Sequence, residues 1–209
     1  EFEVNNIEEI VELIMKKMSE SGVSTSNNST NGVFENVDEA IAEAKKAQTV
    51  LFSSKLELRE RIIASIRDTL KSHITELSEL AVKETGMGRV ADKELKNRIA
   101  IEKTPGLEDL KAFAFSGDDG LTVMELSPYG VIGAITPSTN PSETVICNSI
   151  GMIAAGNAVI FAPHPGAKRT SIRAVELINE AIKKAGGPDN LVVTIAEPVS
   201  YTHLRAHET

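Results

Sequence analysis

The chain has 209 residues, 41% of them hydrophobic and 25% charged, with a net charge of −8, the proportions of an ordinary globular protein. An acidic balance with no basic stripe makes nucleic acid and anionic membrane surfaces poor partners. No apolar run reaches the ~18 residues of a membrane span, and a single cysteine excludes an internal disulfide framework and fits a reducing cytosol. No basic-then-apolar leader opens the chain, which begins at Glu1 and not at Met.

In chain order, residues 4 to 18 read as a short amphipathic helix. Val4, Ile7, Ile10, Val11, Ile14, Met15 and Met18 recur at helical spacing and form one apolar stripe. Glutamates lie early and lysines late, as the helix dipole favours. Residues 19 to 36 are dominated by Ser, Thr, Asn and Gly. Such a segment buries too little apolar area to offset its ordering entropy, so a flexible linker is expected there. The body then runs from 37 to 198. Asp38 is expected to cap a helix to about Leu51, and Ser54 a long helix from Lys55 to Thr85 carrying Leu58, Ile62, Ile66, Leu70, Ile74 and Leu77 on one side. Gly86 and Gly88 break it, and another helix is expected from Val90 to Ala114, weakened at Pro105.

After Gly117 the texture changes to apolar runs of about five residues separated by helical stretches: strands at 121–127, 131–135, 158–162 and 191–195, helices at 143–155 and 167–185. The later strands and helices make a βαβαβ unit, a Rossmann-like parallel sheet within an α/β fold. Residues 201 to 209, YTHLRAHET, continue neither pattern, so 199–209 reads as a non-native tail, and His203 and His207 within it are a weak metal pair.

Ligands of open parallel sheets bind beyond the carboxyl ends of the strands. Two strand-to-helix junctions there are stiffened by prolines: TPSTNP (136–141) and PHPG (163–166). The helix following the first offers free N–H groups to an anion or a developing oxyanion. No GxGxxG, Walker loop or nucleophile elbow accompanies them. His73 reads as a mid-helix surface or packing residue. The lone Cys147 lies in the apolar helix VICNSIGMIAA and reads as a buried, inert thiol.

The stretch SPYGVIGAITPSTNPSETVICNSIGMIAAGNAVIFAPHPGA (127–167) closely resembles the CoA-acylating aldehyde dehydrogenases, the acetaldehyde and propionaldehyde enzymes of bacterial microcompartments. The resemblance implies the aldehyde dehydrogenase fold, with NAD as cofactor and CoA and a short-chain aldehyde as substrates. A catalytic cysteine would form a thioester that CoA removes. In that family the nucleophile lies beyond the last residue here, so the resemblance implies the N-terminal part of a longer enzyme, lacking its nucleophile and inactive alone. It further implies Asn140 as oxyanion donor, with Ile135, Thr136, Pro137 and Ser138 along the nicotinamide ribose and diphosphate. His164 and the backbone at Gly166 and Ala167 would face the adenosine, with Lys168 near a phosphate. Residues 1–18 resemble the encapsulation peptides of such enzymes, implying a shell protein as partner, a microcompartment lumen in the cytoplasm as location, and a homo-oligomer when complete. Residue pattern alone leaves two alternatives open: a non-catalytic α/β binding or scaffold module, and a non-acylating aldehyde dehydrogenase.

Overall fold

A computed structural model describes residues 31–197. The helix expected at 4–18, most of the linker and the tail lie outside them. Strand β1 (Val33–Phe34) leads into helix α1 (Val37–Phe52), followed by α2 (Leu56–Lys71), α3 (Ile74–Thr85) and α4 (Val90–Lys103). A hairpin of β2 (Phe113–Gly117) and β3 (Gly120–Met124) comes next. Then β4 (Val131–Thr136), α5 (Pro141–Ala154), β5 (Ala158–Pro163), α6 (Lys168–Lys184) and β6 (Val192–Ile195) alternate as expected. The sheet order is β1-β6-β5-β4, parallel throughout. All four residues of β6 are buried, which requires cover on both faces. Helix α1 supplies one cover and α6 the other, while α2 and α3 pack behind α6. Phe161, Ile146, Ile150, Leu177 and Ile178 are fully buried, together with Ile62, Ile66, Leu70 and Leu77 of α2 and α3.

Several expectations need correction. The linker does not extend to residue 36. Gly32 and Phe34 carbonyls accept from Thr194 and Ala196 N–H at 2.8 Å each, and Phe34 is buried. A composition rule misses this because two apolar residues and a few main-chain bonds are enough to dock a strand end. The cap of α1 is Asn36, not Asp38: its Oδ1 accepts from Asp38 N at 2.8 Å and Glu39 N at 3.3 Å.

The long helix is two helices. The chain turns at Ser72–His73, while Leu70 and Ile74 stay four apart and both stay buried, so helical periodicity runs unbroken through the turn. His73 therefore begins α3, with Nδ1 2.9 Å from the Thr69 carbonyl. Ser54 caps nothing; its hydroxyl donates to the Val50 carbonyl at 2.7 Å. Finally, α4 stops at Lys103. Thr104 is extended (φ −63°, ψ 126°) before Pro105, as pre-proline sterics favour, and Phe113 and Ala114, expected as helix, open strand β2. That hairpin forms a sheet of its own, with Phe113, Phe115, Leu121, Val123 and Met124 all more than half exposed.

Candidate functional site at the carboxyl ends of the strands

The parallel register sets Thr136 opposite Pro163 and Ile135 opposite Ala162. His164 N–H donates to the Thr136 carbonyl at 3.1 Å, so the two proline-stiffened junctions stand side by side. The structure brings together Ile135 to Asn140 on one and His164 to Lys168 on the other.

Their side chains are not equally available. Ile135 and Pro137 are exposed and Ser138 half-buried. Thr136 is fully buried, its hydroxyl 3.4 Å from that of Ser171 on α6. His164 Nδ1 accepts from Gly166 N–H at 3.0 Å, so in this arrangement the ring proton sits on Nε2. Ala167 is fully buried. Lys168 donates to Glu197 at 2.6 Å.

The two helix starts differ in charge balance. At α6 the Glu84 carboxylate, reaching over from α3, accepts from Arg169 N–H (2.7 Å), Thr170 N–H (2.8 Å) and the Thr170 hydroxyl (2.7 Å). A negative group thus already answers that end of the helix dipole. Helix α5 has no side-chain cap, and the acidic residue of its first turn, Glu143, is paired with Lys93.

Asn140 occupies the N-cap position of α5 yet does not cap it. Its Oδ1 accepts from Lys96 Nζ at 3.2 Å. An ammonium only donates, so the amide oxygen must be the atom facing Lys96, and Nδ2 keeps two N–H donors turned elsewhere. Among the described residues no hydrogen-bond partner meets Nδ2.

Beneath the turn lies a buried polar cluster that the sequence reading missed. Lys93 of α4 is 4% exposed and Glu143 of α5 is 7% exposed. Lys93 Nζ donates to the Thr139 carbonyl and stands 3.4 Å from Glu143 Oε1. The Ser142 hydroxyl donates to Asn97 Oδ1 at 2.9 Å, and Asn97 Nδ2 to the Ser78 hydroxyl at 3.0 Å. Ser142 and Glu143 opening an otherwise apolar helix were the signal available.

Cys147 is half-buried on α5, where the Thr104 hydroxyl donates to its sulfur at 3.1 Å, and it packs against the core. No histidine or cation reaches it among the described contacts, consistent with an unactivated thiol. Among the described residues no group of His, Cys, Asp and Glu is placed to hold a metal, and no helix is long and apolar enough to cross a membrane.

A parallel sheet covered on both faces, with a donor-bearing turn at the carboxyl end of one strand, is the architecture of an α/β ligand-binding domain. The aldehyde dehydrogenase family profile matches residues 15–207, and the chain belongs to that family. It is 50% identical over 193 residues to acetaldehyde dehydrogenase (acetylating) EutE of Escherichia coli, covering 92% of this chain and 41% of that protein. A propionaldehyde dehydrogenase from the Clostridium phytofermentans fucose utilisation bacterial microcompartment superposes with a TM-score of 0.79 at 53% identity, covering 80% of this chain and 39% of that one. The Rhodopseudomonas palustris propionaldehyde dehydrogenase, solved with bound CoA and an acylated cysteine, superposes at 0.80 with 50% identity, over 84% and 40% of the two chains. The chain thus spans about 41% of the length of the two EutE proteins it matches, from Escherichia coli and Salmonella typhimurium.

Proposed function

We propose that the chain is the N-terminal part of a CoA-acylating aldehyde dehydrogenase, which converts a short-chain aldehyde, CoA and NAD to acyl-CoA and NADH. The observation that carries the reading is Asn140. Its amide oxygen is held by Lys96 at the end of β4, leaving its two N–H donors for a carbonyl oxygen that gains negative charge during attack. The residues present fit a nicotinamide dinucleotide. The exposed Ile135 and Pro137 offer the ribose an apolar wall. Thr136 and Ser138 contribute backbone or short contacts, while His164 and the backbone at Gly166 and Ala167 border the adenosine. NAD, when bound, supplies the hydride acceptor; these residues orient it.

The complete enzyme is expected to reduce NAD through repeated turnovers only when aldehyde and CoA are both present, with acyl-CoA detected by mass spectrometry and at most one NADH per site formed without CoA. Free acid formed without CoA would make it a non-acylating enzyme. Absence of turnover in a soluble complete enzyme would leave a binding module.

The exposed apolar hairpin β2–β3 supports association with a second copy, since unpaired strands with apolar side chains are rarely left open. We also propose that residues 4–18 dock on a microcompartment shell protein through their apolar stripe. A fluorescent reporter fused to residues 1–22 is expected to form puncta in a shell-producing host and to turn diffuse with Ile10→Glu and Ile14→Glu. Puncta that survive both changes would exclude the stripe as the element that is read.

A further inference from the structure

Lys93 and Glu143 form the most buried ion pair among the described residues, and nothing in the reaction proposed above uses either. Withdrawing two charges from water is costly, and an apolar pair of the same size usually serves stability as well or better. What an apolar pair cannot do is donate to a main-chain oxygen. The Lys93 ammonium does so: it reaches from α4 to the carbonyl of Thr139, the residue immediately before Asn140.

The direction of that bond matters because the peptide unit is planar and trans. The carbonyl of Thr139 and the N–H of Asn140 belong to one plane and point to opposite sides. Drawing the carbonyl toward α4 turns the Asn140 N–H away from α4. It also fixes the Cα from which the Asn140 side chain departs. One helical turn along, Lys96 holds the amide oxygen of the same residue, and Asn97 takes the hydroxyl of Ser142. Positions 93, 96 and 97 lie on one face of a helix, so three successive contacts from α4 grip the turn from its backbone, its side chain and the helix that follows. Glu143 neutralises Lys93 in the dry interior.

We propose that Lys93 is a positioning residue for the oxyanion site: its ammonium sets the Thr139–Asn140 peptide and thereby aims the donors of Asn140. This rests on the proposed reading of Asn140. Lys93 touches no substrate and acts only through the turn.

The test uses the complete enzyme and two variants. Lys93→Met removes the donor and leaves Glu143 buried without a partner. It is expected to lower the melting temperature and to lower kcat about tenfold or more, with KM for NAD within twofold, since an ångström-scale misplacement of a donor acts on the transition state. Lys93→Met with Glu143→Met removes both charges and restores the melting temperature, while kcat stays low because the carbonyl is still unheld. Recovery of kcat together with stability in the double variant would overturn the proposal and leave Lys93 a purely structural residue. A crystal structure of the double variant gives a readout that needs no activity: the Thr139 carbonyl is expected to have turned from α4, and an unmoved turn would overturn the proposal whatever the reaction. Absence of aldehyde- and CoA-dependent turnover in the unsubstituted enzyme would instead fail the proposed reaction, with the crystallographic comparison still deciding what Lys93 does.

Discussion

Replacing Asn140 by Ala in the complete enzyme is expected to lower kcat by ~10² to 10³-fold, the usual loss for one oxyanion donor, with KM for NAD nearly unchanged. The separation follows from geometry. Asn140 offers the site its side-chain N–H groups, whereas the residues beside the cofactor, 135 to 138, precede it on the strand and turn. The neighbouring substitution Thr139→Ala is the informative control. Thr139 contributes its main-chain carbonyl, held by Lys93, and an alanine keeps that carbonyl, so kcat should stay within a few-fold of the parent. A larger loss for Thr139→Ala than for Asn140→Ala, measured under saturating substrates, would place the donor one residue earlier.

The second large effect is one of stability. Gly32→Ala is expected to destabilise the protein by about 3 kcal/mol, a left-handed backbone penalty plus overpacking of the site. Gly32 has φ of +86°, and an added Cβ would stand 2.2 Å from Asn179 Nδ2 and 2.6 Å from the Val192 carbonyl oxygen. The Asn179 amide is itself engaged, donating to that same carbonyl at 2.6 Å and to the carbonyl of Asn31 at 3.2 Å. Neither neighbour can yield without giving up bonds that seat β1 on the sheet. Thermal unfolding should shift down by roughly 6 to 12 °C, taking about 2 to 4 °C per kcal/mol for a domain of this size. A change below about 1 kcal/mol, inside the scatter of ordinary surface substitutions, would mean that residues 31–34 behave as linker, as composition alone suggests.

What the sequence disclosed and what it withheld divide along the range of the interactions involved. The strands β4, β5 and β6 were legible because each is a short apolar run punctuated by Pro, Gly or Asn, and their alternation with helices implies a parallel sheet. The site turn was legible as a turn, with its prolines and clustered polar residues, while the particular duty of Asn140 came from resemblance to a family. The break at Ser72–His73 was hidden because the apolar period crosses it intact. The second strand of the hairpin was expected, but its first was hidden because Phe113, Ala114 and Phe115 prolong an apolar text that a helix could equally have written. Lys93 and Glu84 were beyond reach for a different reason. A lysine or glutamate in a helical stretch ordinarily faces water, and what draws these two inward lies far along the chain: Thr139 and Glu143 for the one, Arg169 and Thr170 for the other.

The pairing of β1 with β6, Val33 beside Thr194 and Phe34 beside Ile195, joins the first described strand to the last. Helix α1 rests chiefly on β5 and β6, and α2 rests chiefly on α6, so the early helices lean on surfaces synthesised long after them. Loop closure over such a span is entropically slow, and contacts of this kind dominate folding time. On the ribosome, Phe34 and the alanine face of α1 must wait in water until residue 195 has emerged from the exit tunnel. The earliest described strand thus waits on the latest, and a nascent chain stalled before β6 would present the α1 face that β6 covers to chaperones.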